Sequence, residues 1–149
     1  MTKKIWFDMD GTIANLYAVE GWLADLRAER TRPYEEAKVL LNMAVLARLL
    51  HKVQKMGYEV GIISWTSKGG SATYNAKVMA AKYKWLAEHL PSVDWDCIRV
   101  VPYGTSKWEV CGDGILFDDE EQNREAWENG LAFEPCYIMQ ILKRIGGKG

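Results

Sequence analysis

The sequence predicts an α/β fold: a three-layer, Rossmann-like parallel sheet with helices on both faces. Two observations carry this. Short apolar runs at 5–7, 58–64, 98–101 and 115–117 alternate with longer segments of helical periodicity, the pattern of strands joined by crossover helices. Three of the four runs also hand over, at their C-terminal ends, to acidic or hydroxyl residues: Asp8, Ser64 and the pair Asp118–Asp119. Polar residues gathered at the carboxyl ends of strands are what a parallel sheet with a ligand site on its rim requires.

The elements follow in order. Ile5 to Phe7 is a buried strand closed by the "DMDGT" loop. Residues 17–29 carry Val19, Trp22, Leu23 and Leu26 at helical spacing, and Pro33 stands at a helix start. From Tyr34 to Met56 the repeat of Val39, Leu40, Met43, Leu46, Leu50 and Val53 predicts one long helix, stopped by Gly57. "YEVGIIS", 58–64, is a second strand, and "SKGGS" a flexible loop. Residues 72–90 form a helix with Tyr74, Val78, Ala81, Trp85 and Leu86 on one side. Strands at 98–101 and 115–117, then helices at 120–129 and 137–145, complete the expected set, with the "GGKG" tail disordered. The expectation is one domain over residues 1–149, with no repeats, linkers or low-complexity stretches.

Composition excludes several classes of function. At 48% apolar and 26% charged the chain is globular. A net charge of −1 does not provide the broad basic face that gripping a nucleic-acid backbone demands. No stretch approaches the ~20 apolar residues of a membrane span, and "MTKKIWF" runs from two lysines straight into a strand. Cys97, Cys111 and Cys136 are widely spaced and form no CxxC pair, so free thiols in a reducing compartment are expected. These features predict a cytoplasmic protein.

Convergence of the strand ends supplies the chemistry. Asp8 and the Asp118–Asp119 pair are hard oxygen ligands suited to Mg²⁺. Lys107, a few residues beyond the third strand, adds an ammonium, and Ser64 a hydroxyl, for contacts to a phosphoryl group. Any one of these residues alone is an ordinary turn or cap residue; together they point to phosphoryl transfer. A calcium loop starting at Asp8 fails, because Thr12, Ile13 and Val19 stand where an acidic or amide residue, a glycine and a glutamate are required. No GxxxxGK[ST] occurs, which argues against a P-loop kinase.

"WFDMDGT" resembles the DxDGT signature of the haloacid dehalogenase (HAD) superfamily of phosphohydrolases. Three further motifs fall in the family's order: Ser64 in "GIISW", Lys107 in "GTSKW" and the acidic pair in "ILFDDEEQNREAW". The resemblance spans Ile5 to about Trp127. It implies that Asp8 is the nucleophile forming an aspartyl-phosphate. Asp10 is then the general acid that protonates the leaving oxygen and the base that activates water. Ser64 and Lys107 would hold the phosphoryl oxygens, while Asp8, Asp10 through its carbonyl, Asp118 and Asp119 would hold Mg²⁺. Thr12 is expected to hydrogen-bond Asp10, and Gly11 to allow a tight loop.

Specificity in this superfamily depends partly on a cap. Only 55 residues separate Asp8 from Ser64, which leaves residues 15–32 as a small helical cap insert and an open site. Lys68, Lys77, Lys82 and Lys84 follow Ser64 with no acidic residue among them, a candidate positive lip or a solvated helix face. Trp65 either stacks on a substrate base or packs in the core behind the loop. The chain is similar to the 3′-phosphatase domain of polynucleotide kinase-phosphatases and to 5′(3′)-deoxyribonucleotidases, although it lacks the arginine that often follows the acidic pair in both. That resemblance implies a nucleotide or nucleic-acid 3′-end substrate. A phosphatase of small metabolites such as sugar phosphates, or a non-catalytic metal- or phosphate-binding module, are the alternatives.

Overall fold

A computed structural model describes residues 3–147. Five parallel strands form the central sheet: β1 (Lys4–Phe7), β4 (Glu59–Trp65), β5 (Cys97–Val101), β6 (Ile115–Phe117) and β7 (Ala132–Phe133), in the order β5-β4-β1-β6-β7. All neighbours run parallel, with Phe7 beside Ile62 on one flank and Phe117 on the other. The earliest strand is therefore the middle one. A small antiparallel pair, β2 (Ala14–Asn15) with β3 (Lys38–Val39), stands apart from the sheet.

Strand alternation sorts the core into two layers. Ile5 and Phe7 face one side, where they pack with Leu46, Leu50 and Val53 of α3 (Met43–Lys55), Trp85 of α4 (Ala72–His89) and Leu142 of α7 (Ile138–Gly146). Trp6 faces the other side with Ile63, Leu116 and Trp127, covered by Trp108 and Val110 of α5 (Lys107–Cys111). The short α6 (Glu121–Glu125) precedes Trp127. The Trp6 and Trp127 indoles donate to the carbonyls of Asp113 and Gly114, both at 3.0 Å, so neither buried N–H is orphaned. Gly61 makes room for Trp6: a Cβ there would lie 2.7 Å from the indole.

The expected helix over 34–56 is two helices with a strand between them. α2 (Arg32–Glu36) ends at Ala37, Lys38–Val39 pairs with Ala14–Asn15, and α3 starts only after Asn42, whose side chain accepts from Val45 N at 3.1 Å. Val39 and Leu40, counted into the helical stripe, are instead exposed. Between β2 and β3 lie a one-turn 3-10 helix at Leu16–Ala18, α1 (Trp22–Arg27) and α2. This segment is tied to the start of α4 at Glu29 and Arg30. Glu29, at φ +56°, accepts from Ser71 N and Oγ at 2.9 and 2.8 Å, and Tyr74 donates to the Arg30 carbonyl at 2.8 Å. Within it, Arg32 hydrogen-bonds Asp25 at 2.5 Å and holds that carboxyl below the usual carboxylate range. Of the expected disordered tail, Gly146 closes α7, Gly147 caps it, and residues 148–149 lie outside the described residues. Among the described residues no helix is long and apolar enough to cross a membrane.

Candidate active site

The middle strand delivers Asp8 to the carboxyl rim of the sheet, where its N–H donates to the Phe117 carbonyl at 2.9 Å. Met9 is buried, and its carbonyl accepts from the N–H groups of Thr12, Ile13 and Ala14, each at 3.0 Å. That knot of bonds turns the chain sharply and lets Asp8 and Asp10 share one cavity. Gly11 takes φ +81° there, a conformation that costs a residue with a Cβ.

Three segments far apart in sequence meet at Asp8. Lys107 opens α5, whose first turn is capped by Ser106. The Lys107 ammonium is 2.9 Å from Asp8 Oδ1 and 2.7 Å from Asp118 Oδ2. Asp118 is wholly buried. It accepts from Glu120 N at 2.9 Å and from Asn123 Nδ2 at 3.0 Å, and Arg124 donates to its carbonyl at 3.0 Å. Burial works against the charge on Lys107, but Asp8 and Asp118 more than offset it, so the ammonium stays charged above the ordinary lysine range.

Asp8, Asp118 and Asp119 each present a carboxylate oxygen, all within 4.8 Å of one another. Burial first, and then repulsion from Asp8, pushes both members of the acidic pair above their ordinary range. Concentrated, desolvated negative charge on hard oxygens is the donor set a small divalent cation relieves, so these residues fit Mg²⁺. Thr12 belongs to this cluster. Its hydroxyl lies 3.0 Å from Asp8 Oδ2 and 3.4 Å from Asp119 Oδ1, and it accepts from Asp119 N at 3.2 Å. The expected bond from Thr12 to Asp10 is not formed; Thr12 orients Asp8 and Asp119.

Asp10 turns to Lys82, expected from the sequence only as part of a positive lip or a solvated helix face. Lys82, on α4, is 1% exposed and reaches Asp10 Oδ2 at 2.9 Å, Ser64 Oγ at 2.6 Å and the Trp65 carbonyl at 2.6 Å. Burial raises the Asp10 carboxyl above its ordinary range, and the Lys82 charge opposes that shift. The predicted positive lip is correspondingly smaller. Lys77 and Lys84 are exposed away from the cavity, and only Lys68 borders it. The signal for Lys82 was its position, four residues from Val78 and three from Trp85 on the buried stripe of α4.

A cavity of about 550 Å³ adjoins Asp8, Asp10, Lys107 and Asp118. Tyr17, Trp22 and Tyr34 line it from the segment between β2 and β3, and Trp65 and Tyr103 from the β4 and β5 ends. Trp65 is half-buried, borders the cavity and stands 4.8 Å from the Tyr103 ring, with its N–H on the Thr105 carbonyl at 2.9 Å. Ser64 is 1% exposed and does not border the cavity, whereas Thr66 and Ser67 do. Those two hydroxyls were not singled out from the sequence.

No family profile and no curated protein matches this chain. Among solved structures it is similar to the D,D-heptose 1,7-bisphosphate phosphatase from Burkholderia thailandensis, with a TM-score of 0.53 and 17% identity, over 87% of this chain and 74% of that one. Likeness at this level concerns the fold, and it agrees with the five-stranded parallel sheet flanked by helices: the chain has a Rossmann-like α/β fold.

Proposed function

We propose that the protein is a Mg²⁺-dependent phosphomonoester hydrolase working through an aspartyl-phosphate on Asp8, with nucleotides or nucleic-acid ends as substrates. The observation that carries the reading is the meeting of Asp8, Lys107, Asp118 and Asp119 in one cluster, with Asp10 beside it in the same cavity. The similar solved structure is itself a phosphatase, which agrees with it.

In this reading an Asp8 oxygen attacks phosphorus, the bond to the leaving oxygen breaks, and Asp10 gives that oxygen its proton. Asp10 then removes a proton from water as the water attacks the phosphoryl group, which frees inorganic phosphate and restores Asp8. Lys107 and Thr12 hold Asp8 from its two oxygens and fix its direction of attack. Thr66 and Ser67, on the cavity wall, are placed to hydrogen-bond phosphoryl oxygens. Mg²⁺, held by Asp8, Asp118 and Asp119 with the Asp10 carbonyl, supplies the charge neutralisation a carboxylate needs to approach a dianion.

The nucleotide preference rests on the five aromatic side chains around the cavity, two of them paired across Trp65 and Tyr103 and two across Tyr17 and Trp22, whose rings lie 5.0 Å apart. A sugar phosphate is the second reading, favoured by the similarity to a D,D-heptose 1,7-bisphosphate phosphatase. The test is hydrolysis, with and without Mg²⁺, of 5′-mononucleotides, 3′-phosphorylated oligonucleotides and sugar phosphates, with Asp8→Asn as control. Mg²⁺-dependent turnover lost in the control is expected, fastest on the nucleotide esters. Equal rates on all three classes would refute the preference, and turnover no better than the control would favour a binding module.

A further inference from the structure

We propose that Lys82 is a positioning residue for the hydrolysis: its ammonium fixes the Asp10 carboxylate in the direction from which it exchanges a proton with the leaving oxygen. The inference rests on the phosphatase reading of the same site and assigns a part to a residue outside its four motifs.

The geometry is that of a strut with every donor committed. An ammonium has three protons, and Lys82 places acceptors at 2.9, 2.6 and 2.6 Å: Asp10 Oδ2, Ser64 Oγ and the Trp65 carbonyl. Nothing remains for a phosphoryl oxygen, and the Lys82 side chain is 1% exposed, so it acts through Asp10 and not on the substrate. Two of its three anchors belong to β4, which is laddered to β1. Lys82 thereby references the Asp10 carboxylate of the "DMDGT" loop to the sheet. It engages only Oδ2 of Asp10, and Oδ1 receives no hydrogen bond from any described residue. The Asp10 side chain is 18% exposed, so the carboxylate reaches the cavity while the lysine stays behind it.

Packing does not account for a lysine here. Position 82 lies on the buried stripe with Val78, Ala81 and Trp85, where an apolar side chain of similar length would fill the space without desolvating a charge. Lys82 also serves a different carboxylate from Lys107, whose contacts are Asp8 and Asp118. The two lysines divide the site: one steadies the attacking side, the other the protonating side.

Leaving groups separate this role from a merely structural one. p-Nitrophenyl phosphate releases a phenolate that needs no proton, whereas a nucleoside 5′-monophosphate or glycerol phosphate releases an alkoxide that does. Lys82→Met is expected to lower kcat/KM on the alkyl ester by about 10²-fold, the scale of a lost general acid, and on the aryl ester by less than about tenfold, with Mg²⁺ affinity unchanged. Lys82→Arg, which keeps the charge but cannot reproduce the three contacts, should fall between wild type and Lys82→Met in the ratio of the two esters, and it carries the comparison if Lys82→Met does not fold. Against an Asp10→Asn background, the Lys82 substitution should add little. Equal losses on both esters, or full additivity with Asp10→Asn, would overturn the proposal. Wild type that hydrolyses neither ester would remove the phosphatase reading and this inference together; wild type active on both, with a ratio unmoved in the Lys82 variants, would remove this inference alone.

Discussion

Gly11→Ala is the sharpest single probe of the acidic cluster. A Cβ built on Gly11 would lie 2.1 Å from Asp119 Oδ2 and 2.6 Å from its Cγ. Ordinary contact begins near 3.5 Å, so the carboxylate has to retreat by about 1 Å or more. The added residue must also hold φ +81°, which costs about 1–2 kcal/mol for a side chain with a Cβ. Stability should fall by that amount, a few degrees in unfolding temperature for a chain of this size. The metal term should be larger. Mg²⁺ demands near-ideal octahedral geometry, and disturbing how a ligand is held costs about 10–100-fold in metal affinity, or up to about 2.7 kcal/mol. Calorimetric titration of Mg²⁺ into both proteins measures the second quantity, and thermal unfolding in chelator the first. A variant that is destabilised yet binds Mg²⁺ with wild-type affinity would show that Asp119 is not a ligand, and the assignment of the cluster would fail.

Two further outcomes follow from the same structure. Lys107→Met leaves Asp8 and Asp118 facing each other without a cation, so the variant should lose about 3–5 kcal/mol in chelator and regain much of it in Mg²⁺; an identical loss in both conditions, read from unfolding midpoints, would refute the account of the charge balance. Burial pushes the Cys111 thiol up to about 12, so at pH 8 iodoacetamide should label the exposed Cys136 well before Cys111, whose rate should climb only as pH rises toward that value. Site-resolved mass spectrometry checks this, and rapid labelling of Cys111 at pH 8 would contradict it.

The strands that carry the site were legible because burial on both faces writes itself as a continuous apolar run, as in Ile5–Phe7 and Val60–Ile63. Asp8, Lys107 and Asp118 could be placed at one rim because each stands close after such a run. The two-residue strands were not legible. Lys38–Val39 and Ala132–Phe133 are too short for any periodicity, and the first interrupts apolar positions whose spacing fits a helix. The N-cap at Asn42 was the local sign that a new helix starts there. Lys82 was hidden for a different reason: a lysine among lysines looks solvated, and only its register with Val78 and Trp85 says otherwise. Thr12 shows the same limit at finer scale, since a hydroxyl four residues from one aspartate and two from another gives no hint of which it will bind, and it binds the farther, Asp8.

The strand order has a consequence for how the protein comes to be folded. β1 is the middle strand, yet its neighbours are contributed some 55 and 110 positions later, through Lys4 beside Glu59 and Ile5 beside Ile115. One edge can pair once β4 exists, but the other waits for β6, near the end of the chain, and such long-range pairing slows folding and leaves a strand edge exposed meanwhile. Asp8 thus stands on that strand until Lys107 and Asp118 are supplied from the last third of the chain. The acidic cluster of Asp8, Asp118 and Asp119 forms only in chains whose sheet has closed, so in the proposed reading Mg²⁺ binding would report complete folding.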